Sequence, residues 1–217
     1  AYFAAEVGGR GTVEIYETHT LVRTTELIGH KNMVIDMDFS RDNGLIATAS
    51  IDGTARVWNL QANPPTSIVL DHGSGVEGVR LSPDASLVAT ISRDLAIRVW
   101  DAQTGAIKGI YTSGDLLSGP VMFMPDGRTV AGRQRDGTVR FWDVTADATV
   151  NLRNHRGLLN AAFFAPAAQL IVSAGWDGWK GSPGCLRFSD AETGEEIAST
   201  GMPGEVAYRL AVSSDGK

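Results

Sequence analysis

Five short segments of this chain carry one strand pattern in register. They are Gly11–Glu17 (GTVEIYE), Gly53–Asn59 (GTARVWN), Leu95–Asp101 (LAIRVWD), Gly137–Asp143 (GTVRFWD) and Gly184–Asp190 (GCLRFSD). Their starts are separated by 42, 42, 42 and 47 residues. A fixed period of this size means that one supersecondary unit recurs. A unit this small cannot bury its apolar face alone, so successive copies must stack.

What lies between the repeats decides the kind of unit. Ser40–Gly44, Ser82–Asp84, Met124–Gly127 and Ser213–Gly216 recur in one phase and hold turn residues. Pro presets φ, Asp bonds its own backbone and Gly accepts positive φ. Asp52-Gly53, Asp136-Gly137 and Asp177-Gly178 form a second set of tight turns. Around them, apolar and polar residues alternate with period two, as over Val34–Phe39, Val76–Leu81, Leu87–Ile91, Ala96–Trp100 and Val139–Trp142. That period is a half-buried strand of four to seven residues. No stretch shows helical periodicity over ten residues. Four short antiparallel strands per repeat make the blade of a propeller, so the fold class is all-β.

Composition narrows the function. The chain has 217 residues, a net charge of −6 and one cysteine, Cys185. An acidic domain is not drawn as a whole to nucleic acid or to an anionic membrane, so neither is expected as a partner. With one cysteine no internal disulfide forms, and the expected location is cytoplasmic. No apolar run approaches the ~18 residues that a membrane span needs. The N-terminus lacks both Met and a basic signal-peptide region, which suggests processing or excision from a longer chain.

The repeats resemble the Trp-Asp (WD) repeat family across essentially the whole chain. The resemblance rests on Gly29-His30 before a first strand, on a small residue two before an Asp (Ser50 and Asp52; Ser92 and Asp94), and on a closing Trp-Asp or near equivalent. It implies that a His, Ser, Asp and Trp of each blade form a buried hydrogen-bonded tetrad. The expected members are His30, Ser50, Asp52 and Trp58; His72, Ser92, Asp94 and Trp100; Asp136 and Trp142; His155 and Asp177. The His-to-Asp separation is 22 residues in three blades. An unpaired buried carboxylate is costly, so the members depend on one another. Three of the four histidines are thereby structural rather than metal ligands, and His19 reads as surface. Arg10 and Tyr16, Gly114 and Gln134, and Gly175 and Ser189 depart from the pattern in the first, fourth and fifth repeats. Those blades are expected to be less rigid, and only the blades of His30 and His72 look complete.

The expected organisation is a single domain over residues 1–217. Its repeats lie near 1–30 plus 205–217, 31–72, 73–114, 115–155 and 156–204. The chain opens in a second strand, Tyr2–Val7, and closes on a first strand, Val206–Val212. Joined, these would complete one blade and close a five-bladed ring, removing two exposed sheet edges. The same phase fits a piece of a larger propeller, and both readings stay open.

No catalytic, cofactor or metal site is expected. Gly73-Ser-Gly75-Val-Glu-Gly78 spells a dinucleotide fingerprint, but a strand follows it where phosphate binding needs a helix N-terminus. Asp36 and Asp38, two apart on a strand, read as a solvated face. Cys185 reads as a small buried hydrophobe. Arg133-Gln-Arg135 is a poor match to the paired arginines of the family's phosphoinositide binders.

In the family, partners bind the face formed by the loops before the first strand and between the second and third. The residue before each tetrad Asp projects there: Ile51, Arg93, Arg135 and Trp176. The insertion Gly178–Pro183 adds Trp179 and Lys180 on that side. Arg93, Arg135, Trp176, Trp179 and Lys180 are therefore the candidate partner-binding residues, for an acidic or aromatic peptide; Arg and Trp are types enriched at binding hot spots. The leading function is a non-catalytic scaffold for proteins or peptides, a module of a larger protein. Alternatives are a truncated or engineered fragment that self-associates through an incomplete ring, and a propeller binding a small ligand in its channel.

Overall fold

The computed structural model describes residues 1–112, 121–133, 139–145, 149–152, 159–165, 170–176, 184–190 and 195–202, and every regular element within them is a strand. The first sheet is β1 (Tyr2–Val7), β2 (Thr12–Glu17) and β3 (Arg23–Leu27). The second is β4 (Val34–Phe39), β5 (Leu45–Ser50), β6 (Thr54–Asn59) and β7 (Thr66–Asp71). The third is β8 (Val76–Leu81), β9 (Leu87–Ser92), β10 (Ala96–Asp101) and β11 (Ile107–Thr112). The fourth is β12 (Met122–Phe123), β13 (Thr129–Arg133), β14 (Val139–Asp143) and β15 (Thr149–Leu152). The fifth is β16 (Leu159–Ala165), β17 (Leu170–Trp176), β18 (Gly184–Asp190) and β19 (Glu196–Met202). Each sheet runs in chain order, with neighbouring strands hydrogen-bonded. These are antiparallel meanders of the blade type, as the period-two pattern predicts.

The chain divides into two units, with the division inside β13 after Val130. In the first unit, successive sheets pack face to face. Val13, Ile15 and Leu27 of the first sheet cluster with Val34, Ile46 and Trp58 of the second. Ala47, Ala49, Ala55, Val57 and Leu70 of the second cluster with Val76, Val79, Leu81, Val88 and Trp100 of the third. In both interfaces the facing residues are aliphatic, and the indole of the next sheet, Trp58 or Trp100, lies among them. Three fully buried alanines leave the depth that a ring of this size requires.

Turn chemistry follows the sequence. In Ser40–Gly44 the Ser40 hydroxyl donates to Asp42 at 2.6 Å, and Asp42 accepts from the Gly44 amide at 2.9 Å. Ser82 and Asp84 repeat the bond at 2.6 Å. The left-handed position of this turn holds Asn43 (φ 59°), Ala85 (φ 58°) and Gly127 (φ 72°), so three residue types share one backbone conformation. The first sheet has three strands; the segment Val206–Val212 that would supply a fourth lies outside the described residues.

Candidate functional site

The loop face of the second and third sheets is built on two histidine networks. In the second sheet, the Trp58 indole donates to the Thr48 hydroxyl at 2.9 Å, and Thr48 lies 2.8 Å from His30 Nε2. His30 Nδ1 lies 2.9 Å from Asp52 Oδ2. Donation runs in one direction, from Trp58 through Thr48 and His30 to Asp52, with a neutral imidazole protonated on Nδ1. Burial holds the His30 pKa below its usual value, against the pull of Asp52. Burial raises the pKa of Asp52, but the Lys31 amide, the Thr54 hydroxyl and His30 outweigh it and hold it at about 2.

The hydroxyl of this tetrad is Thr48, not Ser50 as the sequence suggested. Ser50 donates instead to the Asn32 and Met33 carbonyls at 3.0 and 2.9 Å. The reason is the pleat. Thr48 pairs with Arg56, which shares its face with Trp58, and Ser50 lies at the strand end where the chain enters the turn.

The His72 network is not closed, contrary to expectation. Trp100 donates to Thr90 at 2.8 Å, so Thr90 and not Ser92 holds the tetrad hydroxyl position. Asp94, however, takes Ser92 and both terminal nitrogens of Arg98, the shorter of these at 2.6 Å, and leaves His72. His72 Nδ1 faces Arg98 at 3.2 Å, and Nε2 is buried without a partner among the described residues. Burial, then the Arg98 charge, lower the His72 pKa to about 4. Burial raises the pKa of Asp94, but Arg98 and Ser92 outweigh it and bring it to about 2.

The cause lies 42 residues upstream. Arg56, the counterpart of Arg98, is held away from Asp52 by the Ser67 hydroxyl at 3.1 Å and the Gly29 carbonyl at 2.9 Å. Ser67 pairs with Trp58, whereas the residue that pairs with Trp100 is Ile107, which has no hydroxyl, and the position matching Thr54 is Ala96. Arg98 has lost its outer anchor and Asp94 a local donor, so the two pair with each other.

Among the remaining tetrad positions, Trp142 is buried in β14. Asp136, His155 and Asp177 lie outside the described residues. In the fifth sheet, Ser173 pairs with Arg187 as Thr48 pairs with Arg56, so the hydroxyl position is filled by buried Ser173 rather than lost at Gly175. In the first sheet, Tyr16 is half-buried, stacks on Phe3 at 5.0 Å and donates to Glu14 at 2.5 Å.

Asp36 and Asp38 do not form a solvated face. Asp36 accepts the Val79 amide at 3.0 Å and Arg80 at 2.6 Å, and Asp38 accepts the Leu81 amide at 2.8 Å. Both carboxylates cap amides on the free edge of β8, which pairs with β9 on its other side. Burial raises the pKa of Asp38, partly offset by the Leu81 amide and Arg80.

Ile51 and Arg93 occupy matching turns, each donating its amide to the preceding loop, Ile51 to Met33 at 3.2 Å and Arg93 to Gly75 at 2.9 Å. A Cβ placed on Gly75 would sit 3.4 Å from Arg93 Cδ and 3.6 Å from Ile51 Cα, so the two turns flank that loop. Arg93 is exposed and donates Nε–H to Glu77 at 2.9 Å. The Gly73–Gly78 segment leads into strand β8, which excludes the helix that a dinucleotide site needs. Trp176 ends β17 opposite Gly184. Arg135, Trp179 and Lys180 lie outside the described residues. Missed in the sequence were Glu77, which aims Arg93, and the Asp36–Arg80 pair.

Comparison with known proteins agrees with this geometry. The family model described as "WD domain, G-beta repeat" matches residues 20–59, 64–101 and 117–143. Jouberin of Rattus norvegicus and of Mus musculus are each 50% identical to this chain over 38 residues. That segment is 18% of this chain and spans only 4% of either relative. The repeats matched, the four-stranded antiparallel sheets and the Trp–Thr–His–Asp chain of bonds converge on one conclusion: the chain belongs to the WD40 repeat family.

Proposed function

We propose that this chain is a non-catalytic interaction module of a larger protein, and that it binds protein or peptide segments through the loop face carrying Ile51 and Arg93. The observation that carries this reading is Arg93, an exposed guanidinium held in place at a turn of a chain with net charge −6. Arg135, Trp176, Trp179 and Lys180 join the proposed surface by sequence register. Cofactors, nucleic acid and membranes have no part in it, and a chain with a single, buried cysteine suits the reducing cytoplasm. The test is capture of partners from the source organism by the full chain, with and without Arg93→Glu and Arg135→Glu together. Loss of a partner supports the reading; unchanged capture by the doubly reversed chain sinks it.

The three-stranded first sheet favours a second element of the reading. Among the described residues β1 pairs only with β2, and an unpaired edge invites a further strand. We propose that the segment near 206–212 supplies it and closes a five-bladed ring. A monomer by native mass spectrometry supports closure; a discrete oligomer favours self-association through the open edge.

A further inference from the structure

The second and third sheets present matching positions on the loop face with opposite chemistry. A register shift between Val34 and Asp36 makes Ile35 an extra residue at the start of β4, and the shift between Val76 and Gly78 does the same for Glu77 in β8. Ile35 and Ile51 in one repeat thus correspond to Glu77 and Arg93 in the next. Met33 and Ile35 are each 40% exposed, and Ile51 is half-buried. Ile51 and Arg93 flank Gly75, so the apolar position and the charged one are neighbours across a residue without a side chain.

The details of the ion pair matter more than its presence. Glu77 takes the Nε–H of Arg93, the side-on donor, and its side chain is only 21% exposed against 59% for Arg93. Among the described residues, both terminal nitrogens of Arg93 are left to solvent. A guanidinium pinned through Nε offers a fork of parallel N–H groups, the geometry that takes a carboxylate with two bonds. The neighbouring loops add Lys31 and Arg10, both exposed, and Gly11 lies close against His30 and Asn32 in the same row.

We infer that Glu77 and Arg93 form a preorganised receptor for an Asp or Glu side chain of an extended peptide, and that the apolar residue beside that acid lies on Met33, Ile35 and Ile51. The inference rests on the proposed role of the loop face and names the class of segment that it takes. Glu77 is a positioning residue: it orients Arg93 and does not touch the ligand. That role opposes simple charge counting, because removing Glu77 makes the site more positive.

The experiment is fluorescence anisotropy of the full chain with short synthetic peptides. One set carries an apolar residue next to Asp or Glu, a second replaces the acid by Asn or Gln, a third replaces the apolar residue by Ala, and a fourth carries the apolar residue next to a C-terminal carboxylate alone. The first set binds saturably, and the second and third bind about tenfold more weakly or worse. Arg93→Lys, which keeps the charge and loses the fork, weakens the first set by about the same factor. Glu77→Ala also weakens it, with the thermal midpoint unchanged. Stronger binding by Glu77→Ala, equal binding by Arg93→Lys, or no saturable binding of the first set overturns the inference. Preference for the fourth set overturns the choice of an internal acid. Charge reversal at Arg93 and Arg135 against a whole partner tests the face separately, so the receptor can fail while the face stands.

Discussion

Thr48 is where the second sheet is most exposed to a single change. It accepts from Trp58 and bonds His30, so Thr48→Val strands two buried nitrogens at once. The expected loss is about 2–3 kcal/mol by denaturant unfolding. Thr90→Val strands the Trp100 indole but costs His72 nothing, since His72 Nε2 has no partner among the described residues; the expected loss is about 1 kcal/mol smaller. Equal losses would show that the His72 network is closed after all. Ala85 offers the opposite case. It holds a left-handed φ of 58° at the position where the next repeat has Gly127, and an L side chain there costs about 1–2 kcal/mol. Ala85→Gly relieves that strain and loosens the unfolded chain, so a net gain of about 0.5–1 kcal/mol is expected in the unfolding midpoint. The sequence shows that a His, an Asp and a Trp recur in phase. It does not show which hydroxyl joins them, because Ser50 and Thr48 both lie on one strand and only pairing against Arg56 distinguishes them.

At the scale of the element, β4 and β8 are joined by side chains reaching the backbone. Asp38 caps the Leu81 amide, and Asp38→Ala leaves that donor without its carboxylate. The expected cost is about 1–2 kcal/mol, with faster hydrogen exchange at the Leu81 amide. Asp38→Asn keeps an acceptor and sheds a buried charge whose pKa is raised by burial, so it is expected to cost less than the alanine. If both variants unfold alike and the amide exchanges as before, the cap contributes nothing. Strand positions were legible because the period-two pattern and Asp-containing turns bracket them. The partner of an edge was not: Asp36 and Asp38 alternate as a solvated face would, and their true role depends on a strand 43 residues later. The bulges at Ile35 and Glu77 left no mark in the alternation either, although they set the positions on which the loop face depends.

For the molecule as a whole, the buried histidines set the response to pH. Both are held neutral, with pKa values below the ordinary histidine value of 6.5, and His72 falls to about 4. A lowered histidine pKa means that the unfolded chain binds the proton first. Stability is therefore full above about pH 6.5 and declines as pH falls toward 4, by about 3 kcal/mol from His72. Asp52 and Asp94 act in a lower window. Their values of about 2 lie below the usual carboxylate value of 3.8, so their contribution is present above that value and lost as pH falls toward 2. Thermal midpoints measured from pH 7 to 4 should drop, and His72→Asn should flatten much of that drop; an unchanged slope would assign it elsewhere.

The repeat, the strand content and the family were determined by the sequence alone, because period and turn chemistry are local and survive without knowledge of what packs where. The histidine positions were equally plain, since 22 residues separate each from its aspartate. What only tertiary structure decided is which groups meet. Arg98 takes the aspartate that His72 was expected to hold, for want of a hydroxyl at Ile107 on a different strand. Asp36 and Asp38 serve the next sheet, and Glu77 aims Arg93. Each outcome is a competition among several donors for one acceptor, and it is settled by distances across strands that spacing along the chain does not contain.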